Sequence, residues 1–126
     1  MNNKRYFSNL KKTKVENELS YLNGKLKKIL QKSTSMNKSL KNILKAGWKI
    51  EDNSLVKIFR TKSFPETLGL VMSIGALCQQ FDHHPDYLTM KYAEVKVSFS
   101  THSEGGKITE KDIIIAKEID KIFTKS

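Results

Sequence analysis

Between Lys91 and His102 the side chains alternate. Ala93, Val95, Val97, Phe99 and Thr101 fall on one side, and Tyr92, Glu94, Lys96, Ser98, Ser100 and His102 on the other. A period of two over that length predicts a strand with one face against a core. A strand of this kind needs neighbours and a cover. Trp48-Lys49-Ile50 and Leu55-Val56-Lys57-Ile58-Phe59 alternate too, and Glu51-Asp52-Asn53-Ser54 between them reads as a turn, so a hairpin is predicted. A further short strand is predicted around 107–108, just beyond the Gly105-Gly106 turn.

The cover is written at helical spacing. Leu40, Ile43 and Leu44 predict a short helix, with Gly47 where a helix end favours positive φ. Ser63-Phe64-Pro65-Glu66 is a capping box, and Phe64, Leu68, Val71, Ile74, Leu77, Cys78 and Phe81 continue a helix that Pro85 ends. Thr109-x-x-Asp112 opens a last helix with Ile115, Ala116, Ile119, Ile122 and Phe123 as its core stripe. Helices interspersed with hairpins, without a regular strand-helix-strand repeat, predict an α+β fold. Its small antiparallel sheet has about four strands, with helices packed on one face.

The first third differs. Residues 1–45 hold twelve Lys/Arg against Glu16 and Glu18, whereas residues 46–126 hold eleven of each sign, so the whole net charge of +10 lies there. Val15, Leu19, Leu22, Leu26, Ile29 and Leu30 mark an apolar stripe on a helix that Gly24 weakens by about 1 kcal/mol. Ser33-Thr34-Ser35-Met36-Asn37 reads as a linker. Residues 1–37 are therefore expected to be a basic helical extension, and residues 38–126 the folded domain. The extension has three readings: a solvated basic helix or arm, an organelle-targeting segment, or an arm for anionic partners. A nucleic-acid partner is not expected for residues 46–126, because their own charge is balanced.

A length of 126 residues suits one domain with a real core. The longest apolar runs, such as Ile113-Ile114-Ile115-Ala116, fall far short of the ~20 residues of a membrane span. The single cysteine, Cys78, lies on an apolar stripe and reads as core. It excludes an internal disulfide, and a reducing compartment follows as the expectation. The expected location is cytoplasmic. The alternatives are an organelle reached through the basic N-terminus, or partial residence in the nucleus.

All three histidines, His83, His84 and His102, fall within twenty residues and at the ends of predicted elements. Imidazole exchanges protons near neutrality, and element ends on a rigid scaffold are favoured places for functional groups. Adjacent histidines diverge, and no HxH, HxxxH or HExxH spacing occurs, so no metal is expected. There is no nucleophile elbow, P-loop or GxGxxG.

Asp82-His83-His84-Pro85-Asp86, Tyr92, Ser100-Thr101-His102, Gly105-Gly106 and Thr109-x-x-Asp112, in that order, resemble the signature of pterin-4a-carbinolamine dehydratases. The resemblance extends to Gly47-Trp48, Phe59 and Phe64 and covers roughly residues 38–124. It departs from the family at four places. Gln79 stands where an acid is frequent, Tyr87 where a tryptophan is frequent, and Thr61 where an aromatic is common. The Gly-Gly turn carries an extra residue, Lys107 or Ile108.

The resemblance implies elimination of water from a 4a-hydroxytetrahydropterin, without cofactor. His83, His84 and His102 would be the catalytic groups, with Asp82, Pro85, Tyr87 and Asp112 binding or supporting. It also implies a homodimer or homotetramer. The rival reading is a non-catalytic dimerisation cofactor that stabilises a protein partner such as a transcription factor. One geometric condition follows from the fold. Ten residues of strand span roughly 33 Å, so His102 can meet His83 only if residues 85–91 run back alongside the strand.

Overall fold

The alternating run folds as β4 (Glu94–Phe99), with Val95, Val97 and Phe99 fully buried. In the computed structural model, backbone is described for residues 2–125 and side chains for residues 16–31 and 34–124. β4 sits in the middle of a four-stranded antiparallel sheet of order β1-β2-β4-β3. β1 (Lys49–Glu51) and β2 (Ser54–Arg60) form the predicted hairpin. Its turn residues Asp52 and Asn53 both have positive φ, 49° and 62°, the left-handed pair that a right-twisted two-residue hairpin requires. β2 sets Leu55 opposite Phe99 and Phe59 opposite Val95, so both strands present large side chains to the same face.

α2 (Phe64–Gln80) and α3 (Glu110–Lys125) cover that face. Ser63 Oγ accepts from the Glu66 amide at 3.2 Å, the first half of the capping box, while Glu66 Oε2 reaches one residue further back and accepts from the Lys62 amide at 3.2 Å. Trp48 packs edge-on to Phe59 at 5.9 Å, and Phe59 to Phe123 at 5.0 Å. The Trp48 indole N–H and the Lys57 ammonium both donate to Asp120, at 3.0 and 2.8 Å. Cys78 is buried, as expected, and burial pushes its thiol up despite a backbone hydrogen bond.

Four expectations are corrected. The fourth strand is β3 (Tyr87–Lys91), not a segment at 107–108. Thr101 and Lys107 form only an isolated bridge, because Gly105 and Gly106, at φ 72° and 75°, bend the chain at once. Consequently the strand expected from residue 91 starts at Glu94, and Tyr92 and Ala93 form the β3–β4 turn.

The buried face of α2 is Thr67, Leu70, Ile74 and Cys78, while Phe64, Leu68, Phe81 and Met72 are exposed. Thr67 can be buried because its hydroxyl is satisfied by the Ser63 and Tyr92 carbonyls at 3.0 and 2.9 Å. Finally, Ser33–Asn37 is no linker: α1 runs from Asn2 to Lys45. Ser, Thr and Asn each disfavour a helix by only ~0.5 kcal/mol, and neither Gly nor Pro interrupts that stretch.

Two units are distinguished along the chain, residues 1–38 and 39–126. In the first, the helical stripe Leu19, Leu22, Leu26, Ile29 and Leu30 is more than half exposed. In the second, α1 ends as the sequence predicts. Gly47 takes φ 109°, its amide bonds to Leu44 O at 3.2 Å and the Trp48 amide to Ile43 O at 3.1 Å. That is the paired closure of a glycine-capped helix.

Candidate active site

The C-terminus of α2 closes in the same way without glycine. Asp82 takes the left-handed position at φ 49°, and the His83 amide reaches back to Cys78 O at 3.0 Å. Asp tolerates this conformation better than most residues. The turn directs His83 inward, where its ring stacks on Phe99 at 5.9 Å and the residue is 8% exposed. There His83 Nε2 meets Asp112 Oδ1 at 2.5 Å. A carboxylate only accepts, so Nε2 is the donor of this bond.

Asp112 is fully buried three residues after the N-cap of α3. Its second oxygen accepts from the Thr109 amide and from Thr101 Oγ1, each at 2.8 Å. All three donors are needed, because a buried carboxylate without partners costs several kcal/mol. The expected Thr109 cap is thus inverted. Asp112 satisfies the Thr109 amide, and the Thr109 hydroxyl pairs with that of Thr101 at 2.6 Å.

Residues 85–91 do run back alongside β4, meeting the geometric condition: Tyr87 lies opposite Ser98, and the Asp86 amide donates to Ser98 O at 2.7 Å. This carries Asp86 to the other side of the strand end. Ser98 Oγ and Ser54 Oγ donate to Asp86 Oδ2 at 2.9 and 3.0 Å, and Ser100 Oγ to Oδ1 at 2.6 Å. His102 Nε2 lies 3.0 Å from the same Oδ1. Burial pushes the Asp86 carboxyl up, but the hydroxyls of Ser100, Ser98 and Ser54 and the charge of His102 outweigh it and hold the group below its ordinary value.

Alternation therefore sorts the strand end into two clusters. Phe99 and Thr101 serve His83 and Asp112, while Ser98, Ser100 and His102 serve Asp86. Of the sequence-predicted residues, His83 and Asp112 are brought together as a pair, while His102 lies instead against Asp86, which the sequence reading leaves without a role. His84 is exposed and makes no side-chain hydrogen bond among the described residues. Pro85 is half-buried and trans, and Tyr87 is exposed with Lys96 over its ring at 5.9 Å. Asp82 contributes through its backbone. No group of three or more His, Cys, Asp or Glu converges as a metal site among the described residues.

Asp86, with Ser54, Ser98 and Ser100, is the part that the sequence reading leaves unassigned. One signal was available: Ser98, Ser100 and His102 at steps of two put three polar side chains on one strand face, beside an acid that follows the proline.

The sequence profile described as pterin 4 alpha carbinolamine dehydratase matches residues 30–122. A proposed pterin-4-alpha-carbinolamine dehydratase of Sulfolobus acidocaldarius is 47% identical over 76 residues, which are 60% of this chain and 81% of that protein. A relative of the same description from Chloroflexus aurantiacus is 37% identical over 76 residues, 60% of this chain and 80% of that one. A transcriptional coactivator/pterin dehydratase from Brucella melitensis has a similar crystal structure. Its TM-score is 0.62 at 30% identity, with 71% of this chain and 93% of that chain covered. A pterin dehydratase-like protein, described as a RuBisCO assembly factor in the alpha-carboxysome, shares the fold. There the TM-score is 0.55 at 18% identity, over 64% of this chain and 93% of that one.

Proposed function

This chain belongs to the pterin 4 alpha carbinolamine dehydratase family, and on that premise we propose that it removes water from a 4a-hydroxytetrahydropterin. In that elimination the C4a–O bond breaks with its electron pair on oxygen, which takes a proton and departs as water. A base takes the N5 proton, and the freed pair forms the C4a–N5 double bond of a quinonoid dihydropterin. The step needs one proton donor and one acceptor, roles that positioned imidazoles fill at near-neutral pH with contributions of ~10²–10⁴-fold each.

The observation that carries the reading is the concentration of imidazoles and carboxylates at one end of β4. In this reading His83, His84 and His102 contact the pterin or exchange its protons. Asp112 holds His83, while Asp82, Pro85 and Tyr87 shape the approach. His102 and His84 have the exposure that substrate contact requires. Stopped-flow decay of the 4a-carbinolamine, with and without the purified chain, tests the proposal. Decay at the uncatalysed rate would reject it.

A second reading is favoured by the coactivator and assembly-factor descriptions of the two structural relatives. In it the same fold stabilises a protein partner such as a transcription factor. The exposed apolar side chains Phe64, Leu68 and Met72 on α2 suit such contacts. Self-association as a homodimer or homotetramer belongs to both readings, since β3 is an edge strand with open backbone groups. Light scattering that gives a monomer at micromolar concentration would exclude it. Residues 46–126 carry balanced charge, so nucleic acid is not proposed as their partner. No helix among the described residues is long and apolar enough to cross a membrane. A single buried cysteine suits a reducing compartment such as the cytoplasm.

A further inference from the structure

Residues 16–31 of α1 leave an apolar stripe uncovered. At about 3.6 residues per turn, Leu19, Leu22, Leu26, Ile29 and Leu30 fall within an arc of about 100°. Each of them is between 52% and 64% exposed. A helix of a soluble domain normally buries a stripe of that width. The rest of this helix is cationic. Lys25 and Lys27 flank the stripe on its two sides and Lys28 stands behind it, all three exposed, with the Lys25 ammonium over the Tyr21 ring at 5.1 Å. Along the sequence no Asp or Glu stands between Glu18 and Glu51, whereas eight lysines do.

An occupant of this face has to accept five branched aliphatic side chains and attract positive charge at the same time. A nucleic acid meets the second requirement and not the first, because its phosphates give Leu and Ile no apolar partner. A second copy of the helix meets the first and not the second. It brings two cationic helices together with only Glu16 and Glu18 on each to offset the lysines. The surface of an anionic bilayer meets both. Acyl chains take the stripe to a depth of about 5–10 Å, while the lysine stems lie along the apolar boundary and carry their ammonium groups to the lipid phosphates. No helix among the described residues is long and apolar enough to cross a membrane, so the mode is a helix lying in the interface. We infer that residues 16–31 of α1 form a peripheral docking surface for an anionic lipid membrane. The inference is independent of the dehydratase reading.

Flotation of the full chain with lipid vesicles decides it. One set of vesicles is an equimolar mixture of phosphatidylcholine and phosphatidylserine, the other phosphatidylcholine alone. The chain is expected to float with the mixed vesicles, to bind the neutral ones at least about tenfold more weakly, and to dissociate as salt rises. Each lysine near an anionic surface contributes a factor of about five, so Lys25→Gln, Lys27→Gln and Lys28→Gln together should weaken binding about a hundredfold. Leu22→Gln with Leu26→Gln keeps the charge and a good helix former at each place, and should weaken binding at least about tenfold. A wild-type chain that does not float with the mixed vesicles would overturn the inference without any variant having to fold. So would unchanged binding of the Leu22/Leu26 variant, which would reduce the contact to charge alone. Tight binding of a duplex DNA oligonucleotide by a chain that ignores both kinds of vesicle would assign the face to nucleic acid instead. Light scattering in which the Leu22/Leu26 variant falls from dimer to monomer, again without flotation, would assign it to a second copy. Flotation reads no turnover, so it stands whether or not the chain accelerates carbinolamine decay.

Discussion

His83–Asp112 and His102–Asp86 pair the same two residue types at the same end of β4, and they differ in almost everything else. The first pair has side-chain exposures of 10% and 0%, the second 77% and 17%. The first ties the C-terminal turn of α2 to the N-terminal turn of α3, two elements that sequence separates by 29 positions. The second ties a loop residue to a 3-10 turn that solvent surrounds. A hydrogen bond between charged groups is strong where water is excluded and weak where it is not, so the same chemistry yields stability on one side of the strand. On the other side, where solvent reaches His102, the same pairing contributes little to stability. Each pair predicts what the other should not do.

The largest effect is expected at Asp112. Asp112→Ala removes the acceptor of His83 Nε2, Thr101 Oγ1 and the Thr109 amide together, at a fully buried position. Breaking a buried network of this kind costs about 3–5 kcal/mol, and denaturant unfolding should show a loss on that scale or outright failure to fold. His83→Ala, which leaves Asp112 with two donors, should cost about 1–3 kcal/mol. In a double-mutant cycle the two changes should cost less than their sum, because each abolishes the same bond. Additive losses would mean that the pair is not a unit, and the comparison would lose its buried half.

His102→Ala should invert this pattern. At an exposed pair the stability change is expected within about 1 kcal/mol, with the rate of carbinolamine decay falling at least about tenfold. A variant that melts several degrees lower with full activity would make His102 a structural residue and His83 the better candidate for chemistry. His84 belongs with His102 on this test. Exposed and without a side-chain hydrogen bond among the described residues, it should tolerate Ala without measurable loss of stability.

Part of this contrast can be read from the sequence. The spacing of His83, His102 and Asp112 is visible, and so is the need for residues 85–91 to return along the strand. What the sequence hides is which residues are covered. Thr67 has no place in the predicted apolar stripe, yet it is fully buried because the Tyr92 carbonyl, 25 positions later, accepts its hydroxyl. Phe64 and Leu68 read as core and are exposed, since α2 presents Leu70, Ile74 and Cys78 inward instead. Asp86 stands inside the recognisable motif, but one of the hydroxyls that surround it comes from Ser54, on a strand 32 positions earlier. Local periodicity carries no record of such a partner. The linker expected at Ser33–Asn37 fails for the opposite reason: the local composition disfavours a helix only weakly, and α1 continues through it.

The smallest predicted effect sharpens the exposed half. The Asp86 carboxyl sits below its ordinary value of 3.8, because the hydroxyls of Ser100, Ser98 and Ser54 and the charge of His102 outweigh burial. A carboxyl whose folded value is depressed stabilises the fold at pH above its unfolded value, and that contribution disappears as pH falls through the folded value. Asp86→Asn lacks the titrating group. The wild-type chain should therefore be the more stable of the two above the ordinary carboxylate range, with the gap closing as pH falls below that range and through the depressed folded value. Asp112 and the other carboxylates titrate in both proteins, so the difference between the two melting curves isolates Asp86. A gap that stays constant across that window would show that the three serines support the side chain by shape rather than as hosts of its charge.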